Sequence, residues 1–177
     1  MIDYYCDVKN EKIINYIGML SEEYFGLDLI RKVYTYVKNS IYYDPFSKDQ
    51  KASETLVMGR GDNFSKNVLL YTLLKALNFN CRLEEEIVKD NTRKLISRKD
   101  EVIKWSFVKV IFFNRDITMD ASFDKSYIQA ARIKNKCRYD EFNIEGYYIE
   151  DLKLFNKMQN VNCSEDKNNE EKYIFQK

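Results

Sequence analysis

The chain has 177 residues, an apolar fraction of 45% and a net charge of +1. This composition predicts one folded domain with a substantial core and excludes an intrinsically disordered chain. A charge so close to neutral gives no reason to expect nucleic acid or a membrane surface as a partner, and no apolar run is long enough to span a bilayer.

The thiol content adds further expectations. The sequence contains no histidine, and its four cysteines are Cys6, Cys81, Cys137 and Cys163. They form no CxxC pair and no zinc-ligand spacing, so we expect no metal and no other cofactor. The first ten residues lack the basic-then-apolar layout of a signal peptide, which predicts an intracellular, cytoplasmic protein with reduced thiols.

Apolar residues recur at helical spacing through the first half of the chain. They predict helical segments over residues 11–25, 27–43, 52–58 and 63–77. The second segment ends near Pro45, because proline disfavours a helical residue before it. The segment 63–77 is apolar on nearly every side, which is typical of a buried helix, and Asn78 follows it as a stop signal.

After this helix the apolar period changes to two, which indicates strands. The predicted strands cover residues 81–88, 103–113 and 117–120, with a basic polar loop at 89–101 and a turn at 114–116. A helix is predicted over 124–136, and residues 146–158 fit either a helix or a strand. We therefore expect an α+β fold, with one domain over residues 1–158 and a polar tail over residues 159–177.

Two segments carry a family resemblance. The first is KASETLVMGRGDNFSKNVLLYTLLKALNFNCRLEEEIV, in which a glycine-rich turn presents Asn63 at the start of the buried helix. The second is KWSFVKVIFFNRDITMDASFD. Their order and spacing, over about residues 30–124, resemble the transglutaminase-like superfamily, a branch of the papain-like cysteine-enzyme fold. The resemblance implies N-terminal helices and a buried central helix packed on an antiparallel sheet.

The resemblance also assigns three positions. It places the nucleophilic cysteine of the family at Asn63, the general-base histidine at Trp105 and the orienting aspartate at Asp120. A cysteine at a helix N-terminus is favoured as the thiolate, a histidine shuttles its proton, and an aspartate holds the imidazole tautomer. An amide is a poor nucleophile and an indole has no basic nitrogen. We therefore expect the acyl-transfer chemistry of the family to be absent.

Each of these residues has a structural interpretation beside a functional one. Asn63 is predicted chiefly to cap its helix, a role that Asp62 or Ser65 could also fill, and otherwise to contact a ligand. Trp105 either fills the former cleft or offers a stacking platform. Asp120 accepts the indole N–H of Trp105, or else binds Lys66 or Lys109.

Two basic residues flank the glycine-rich turn. Arg60 and Lys66 either lie in a solvated turn or meet an anion together with the helix N-terminus. The candidate ligand-binding set consists of Arg60, Asn63, Lys66, Trp105 and Asp120.

The sequence therefore favours a catalytically inactive domain, and not an enzyme, that acts as a protein-binding or scaffolding module. Its protein partner and its oligomeric state are left open. One alternative is a hydrolase or acyl-transfer enzyme with altered chemistry, using Asp120 with Lys66 or a serine in the remnant cleft. Another is a subunit of a multiprotein assembly.

Overall fold

A computed structural model describes residues 2–90, 101–113 and 115–135. The helices in this part of the chain are α1 (Ile2–Tyr5), α2 (Glu11–Ser21), α3 (Gly26–Ser40), α4 (Ala52–Met58), α5 (Asn63–Ala76) and α6 (Lys125–Asn135). The strands are β1 (Tyr42–Tyr43), β2 (Arg60–Gly61), β3 (Cys81–Asp90), β4 (Glu101–Phe112) and β5 (Arg115–Met119). The predictions for residues 91–100, 146–158 and 159–177 lie outside the described residues.

Helix α5 is the centre of the domain. It contacts helices α2, α3 and α4 as well as strands β3 and β4. Five of its apolar side chains are completely buried, namely Val68, Leu69, Leu70, Leu73 and Leu74. A helix surrounded on all sides by protein has no solvent-facing stripe, which explains why its sequence shows no amphipathic pattern. The predicted buried central helix is confirmed.

Strands β3, β4 and β5 form an antiparallel sheet in that order. In its register Leu83 lies opposite Val108, and Val108 lies opposite Met119. These three side chains share one face of the sheet, since residues directly opposite each other project to the same side. They belong to the same apolar core as the leucines of α5. The α+β class, with helices packed on an antiparallel sheet, is therefore confirmed.

The glycine-rich turn has a steric explanation. Gly59 ends α4 in the left-handed conformation, with φ of 65°, where a residue with a Cβ is strained. A Cβ placed on Gly61 would approach the Ser65 Cβ to 3.0 Å and the Thr55 Cγ2 to 3.1 Å. Both glycines allow the chain to pass closely from α4 into α5.

Two helices end several residues before their predicted boundaries, and the other helix boundaries differ by at most one residue. The helix predicted over 11–25 ends at Ser21, and a short turn follows before Gly26, which begins α3 with a φ of 57°. The helix predicted over 27–43 ends at Ser40. The Tyr42 backbone N–H instead donates to the Gly59 carbonyl, at 2.8 Å, in the parallel pairing of β1 with β2. Within the described ranges, no helix combines the length and the apolarity needed to cross a membrane.

The burial of α5 predicts a large cost for truncating one of its side chains. Leu70→Ala should lower the free energy of unfolding by about 2–5 kcal/mol, because it removes apolar contacts and leaves a cavity. The matched control is Met19→Ala, since Met19 is 71% exposed and its loss should cost less than about 0.5 kcal/mol. Urea unfolding followed by circular dichroism measures both. Equal losses in the two variants would contradict a central position for α5.

Candidate functional site

Asn63 is the first residue of α5, but it does not cap the helix. The cap is Asp62, whose Oδ1 accepts a hydrogen bond from the Ser65 N–H at 2.9 Å. The prediction that Asn63 acts chiefly as the cap is therefore wrong by one residue. Its side chain turns instead to β4, where Oδ1 accepts from the Ser106 N–H at 2.7 Å and Nδ2 donates to the Ser106 carbonyl at 2.9 Å.

In this two-point contact the Asn63 carboxamide takes the role of a backbone peptide group. Its C=O accepts from the N–H of Ser106 and its NH₂ donates to the C=O of Ser106, as two paired residues do in an antiparallel sheet. The contact attaches the start of α5 to β4, and Asn63 is only 5% exposed. A thiol at this position could not form the same pair of hydrogen bonds, because sulfur is only a weak donor and a weak acceptor.

Trp105 and Asp120 are joined directly. The Trp105 indole N–H donates to Asp120 Oδ2 at 2.7 Å, which confirms that predicted contact. Trp105 has no exposed surface, and its ring meets that of Phe123 edge-on with the centroids 5.2 Å apart. The tryptophan therefore occupies the interior as a packing residue, and its burial agrees with the cleft-filling interpretation rather than with a stacking platform for a ligand.

The second oxygen of the Asp120 carboxylate connects this pair to Asn63. Asp120 Oδ1 accepts hydrogen bonds from the Ser122 N–H at 2.9 Å, from the Ser122 hydroxyl and from Asn67 Nδ2 at 3.3 Å. The Ser122 hydroxyl in turn accepts from Asn63 Nδ2 at 2.7 Å and from Asn67 Nδ2 at 3.0 Å. We call these five residues, Asn63, Asn67, Trp105, Asp120 and Ser122, the buried polar network.

The structure thus brings together the three positions that the resemblance assigned. The sequence analysis missed Asn67 and, as a member of this site, Ser122. Asn67 has a recognisable signal, because it lies four residues after Asn63 and so shares its face of the helix. Its Oδ1 also accepts from the Ala121 N–H at 3.1 Å. Ser122 follows Asp120 by two residues, a spacing at which hydroxyl and carboxylate side chains form local hydrogen bonds.

The two basic members of the predicted ligand-binding set lie elsewhere. Lys66 is fully buried, and its Nζ donates to the carbonyls of Lys38 at 3.1 Å and Ile41 at 2.6 Å. These groups belong to the C-terminal end of α3, where a cation is favoured by the helix dipole. Lys66 therefore does not reach an anion at the turn, and it cannot be counted as a ligand-binding residue there.

Arg60 also lies apart from the buried polar network. Its side chain is 54% exposed and forms an ion pair with Asp44 at 3.7 Å. Lys109 pairs with Glu84 at 2.8 Å and not with Asp120. Neither Arg60 nor Lys109 therefore places its cation against the Asp120 carboxylate.

Two buried cationic side chains and two buried carboxylates lie in or close to the buried polar network. Lys38, Lys66, Asp120 and Asp124 are each at most 2% exposed. Desolvation lowers the pKa of Lys66 to about 7; Asp124 and Asp120 oppose this shift, while Lys38 adds to it. Desolvation likewise lowers the pKa of Lys38 to about 8, against the attraction of Asp120 and Asp124. Burial of two cations is tolerated here because two carboxylates are buried beside them.

The cysteines in the described ranges offer no activated thiol at this site. Cys6 is buried and Cys81 is half-buried. Burial raises the pKa of the Cys81 thiol to about 11, whereas a reactive cysteine needs a lowered one. Among the described residues, no group of three or more Cys, Asp or Glu side chains is placed to hold a metal ion.

The contacts of Asn63 predict a structural role that can be measured. Asn63→Ala should lower the free energy of unfolding by about 2–4 kcal/mol, because it leaves the buried N–H and C=O of Ser106 without partners. The matched control is Asn39→Ala. The Asn39 Oδ1 is buried but accepts no hydrogen bond from any described residue, so its loss should cost less than about 1 kcal/mol. Chemical unfolding compares the two, and a smaller loss for Asn63 would refute the two-point contact.

Lys66 predicts a pH dependence of stability. Its pKa is about 7 in the folded chain against 10.5 for the free side chain. Between these values the folded state releases a proton that the unfolded state keeps, so the free energy of unfolding rises with pH. Relative to Lys66→Met, wild type should therefore gain stability between pH 7 and pH 9.5 in urea titrations. Lys12→Met removes an exposed lysine as the control, and parallel curves for wild type and Lys66→Met would argue against a perturbed lysine.

The family comparison agrees with this geometry. The model of the transglutaminase-like superfamily matches residues 15–121, which include Asn63, Trp105 and Asp120. Among solved structures, the "putative cysteine protease" of Cytophaga hutchinsonii is 13% identical, with a TM-score of 0.49 over 66% of this chain. The present chain spans 38% of the length of that protein, and no curated protein matches it. Because the family model covers more than half of the sequence, the chain belongs to the transglutaminase-like superfamily.

Proposed function

We propose that this chain is a catalytically inactive transglutaminase-like domain that acts as a protein-binding or scaffolding module. The observation that carries the proposal is the buried polar network. The polar atoms of the Asn63 and Asp120 side chains are engaged in hydrogen bonds inside the protein. Asn63 and Trp105, at the positions where the family resemblance places the nucleophile and its base, contribute instead to the internal structure.

Chemical considerations support the inactive part of the proposal. Acyl transfer needs a nucleophile that can form a covalent intermediate and a base that accepts its proton. The carboxamide of Asn63 supplies neither, and the whole sequence has no histidine to replace Trp105. The alternative enzyme would use Asp120 with Lys66 or a serine. The Lys66 ammonium is directed to the end of α3. The Ser122 hydroxyl does donate to Asp120, but it is fully buried and also accepts hydrogen bonds from Asn63 and Asn67.

The binding part of the proposal rests on the surface. Three phenylalanines are almost wholly exposed: Phe25 at 84%, Phe46 at 76% and Phe113 at 86%. Exposed aromatic side chains are enriched where proteins meet other proteins. We propose a protein partner and no nucleic acid or membrane, since the net charge is +1. We also propose a cytoplasmic location, which the free thiols of Cys6 and Cys81 support.

Absence of acyl transfer is the testable core of the proposal. The purified chain, incubated with a glutamine-rich protein and a fluorescent primary amine, should incorporate no more amine than buffer does. It should also release no ammonia and cleave no peptide. An active enzyme of the transglutaminase-like superfamily in the same assay serves as the positive control.

A specific result would overturn the proposal. This result is turnover by the purified chain that disappears in Asn63→Gln or Asp120→Asn, in variants whose circular dichroism spectra match wild type. Turnover that persists unchanged in both variants would point to a contaminating enzyme, and a further purification step would then remove it.

A further inference from the structure

Strands β1 and β2 form a small pair with one buried side and one outward side. Tyr42 lies opposite Arg60 in the parallel register, so both side chains project to the same side. The backbone N–H of Asp44 donates to β2 at 2.9 Å, which continues the extended pairing and places Asp44 on the side of Tyr42. Tyr43 projects to the opposite side, where its ring meets that of Phe123 with the centroids 4.9 Å apart.

Large apolar side chains extend the outward side. Tyr42 is 62% exposed, Phe46 76% and Met58 49%. Backbone contacts bring them together. The Tyr42 N–H donates at 2.8 Å to the carbonyl of Gly59, the residue after Met58, and the Phe46 N–H donates to the Asp44 carboxylate at 3.0 Å. We call these residues the β1–β2 face, namely Tyr42, Asp44, Phe46, Met58 and Arg60.

The composition of the β1–β2 face is typical of contacts between proteins. Aromatic residues, methionine and arginine are enriched in such contacts relative to the rest of a protein surface. The charged members, Arg60 and Asp44, form an ion pair of 3.7 Å whose side chains are 54% and 24% exposed. A pair so long and so accessible to water contributes little to stability. Arg60 can therefore exchange this carboxylate for another at small cost.

Asp44 is held in position by other groups. Its Oδ1 accepts from the Phe46 N–H at 3.0 Å, and its Oδ2 accepts from the Ser47 hydroxyl at 2.7 Å. These bonds fix the carboxylate on the β1–β2 face and do not depend on Arg60. A carboxylate has about four acceptor positions on its two oxygens. Asp44 thus remains able to accept an arginine from another molecule.

The charge pattern indicates which partner fits this face. A strongly basic or strongly acidic partner would meet one attractive and one repulsive charge, since the face carries one of each sign. A second copy related by a two-fold axis brings its Arg60 to Asp44 and its Asp44 to Arg60. Both charges are then paired, and the aromatic side chains of the two copies shield the pairs from water, which strengthens them.

We propose that two copies of this chain associate through the β1–β2 face as a two-fold symmetric dimer. Arg60 of each copy pairs with Asp44 of the other, and Tyr42 and Phe46 form the apolar centre of the contact. The proposal rests on the protein-binding part of the proposed function and names a second copy as the partner. It is independent of catalytic inactivity.

The mass in solution tests the dimer with the full chain. Sedimentation velocity should show a species with twice the mass of one chain. Phe46→Ala should weaken the dimer about tenfold, because it removes an aromatic side chain from the centre of the contact. Phe25→Ala is the matched control and should leave the dimer unchanged. Phe25 is 84% exposed, but it is separated from Tyr42 by α3, whose 15 residues span about 22 Å.

An exchange of charges tests the pairing across the axis. Arg60→Glu places carboxylates against each other, and Asp44→Lys places cations against each other, so each variant alone should lose the dimer. An equimolar mixture should restore it, because each variant then meets its complement. An ion pair that acts only within one chain would give no such rescue. If Asp44→Lys alters the circular dichroism spectrum, Arg60→Glu and Phe46→Ala still decide.

A photocrosslinker identifies what contacts the β1–β2 face. Replacement of Phe46 by p-benzoylphenylalanine, followed by irradiation, should give a product with twice the mass of one chain. A crosslink within one chain would overturn the proposal, since the chain itself would then cover the face. A crosslink in cell extract to a different protein alone would also overturn it. So would a monomer at concentrations up to about 500 µM, or equal weakening by Phe46→Ala and Phe25→Ala.

The dimer and the proposed inactivity fail separately. A monomer that transfers no acyl groups removes the dimer and leaves inactivity in place. A dimer that shows turnover removes inactivity and leaves the dimer in place.

Discussion

The carboxylate of Asp120 is the group on which the arrangement of α5 against the sheet depends. It is 2% exposed, and a buried anion is costly unless hydrogen-bond donors surround it. Its donors come from separate parts of the chain: the Trp105 indole from β4, the Asn67 amide from α5 and Ser122 from the loop before α6. Displacement of any one of these elements would leave the buried charge with fewer donors, so the carboxylate favours the register in which all three are in place.

This role explains how Asp120 is held in the interior without an imidazole beside it. In the active members of the superfamily the aspartate orients an imidazole, by accepting its N–H. The Trp105 indole supplies an N–H donor to the same acceptor, so Asp120 keeps its hydrogen bond. At the other end, the Asn63 carboxamide binds the backbone of Ser106 in two places. At both positions the polar side-chain atoms are engaged in structural hydrogen bonds, which supports the proposed inactivity.

Much of the fold could be predicted from local patterns, but only part of the site could. Helix α3 follows from apolar periodicity, the buried helix α5 follows from a segment that is apolar on nearly every side, and the contact of Trp105 with Asp120 follows from the hairpin that the family resemblance implied. The capping residue could not be separated from its neighbour, because Asp62 and Asn63 are both suitable caps and differ by one position. The burial of Lys66 was not predictable either. Its partners, the carbonyls at the end of α3, lie 25 and 28 residues away in sequence and become neighbours only through tertiary packing.

The buried charges show where a partner can act. Asp124 accepts from the Tyr43 N–H at 2.6 Å and, at the start of α6, from the Tyr127 N–H at 2.9 Å. Lys38 donates to the Asp120 carbonyl at 3.4 Å. These contacts, with those of Lys66, tie the helical N-terminal half to the sheet and α6 through groups that tolerate little displacement. Entry of a ligand at the buried polar network would break several of them together. This constraint supports the proposal that a protein partner binds at the surface of the domain.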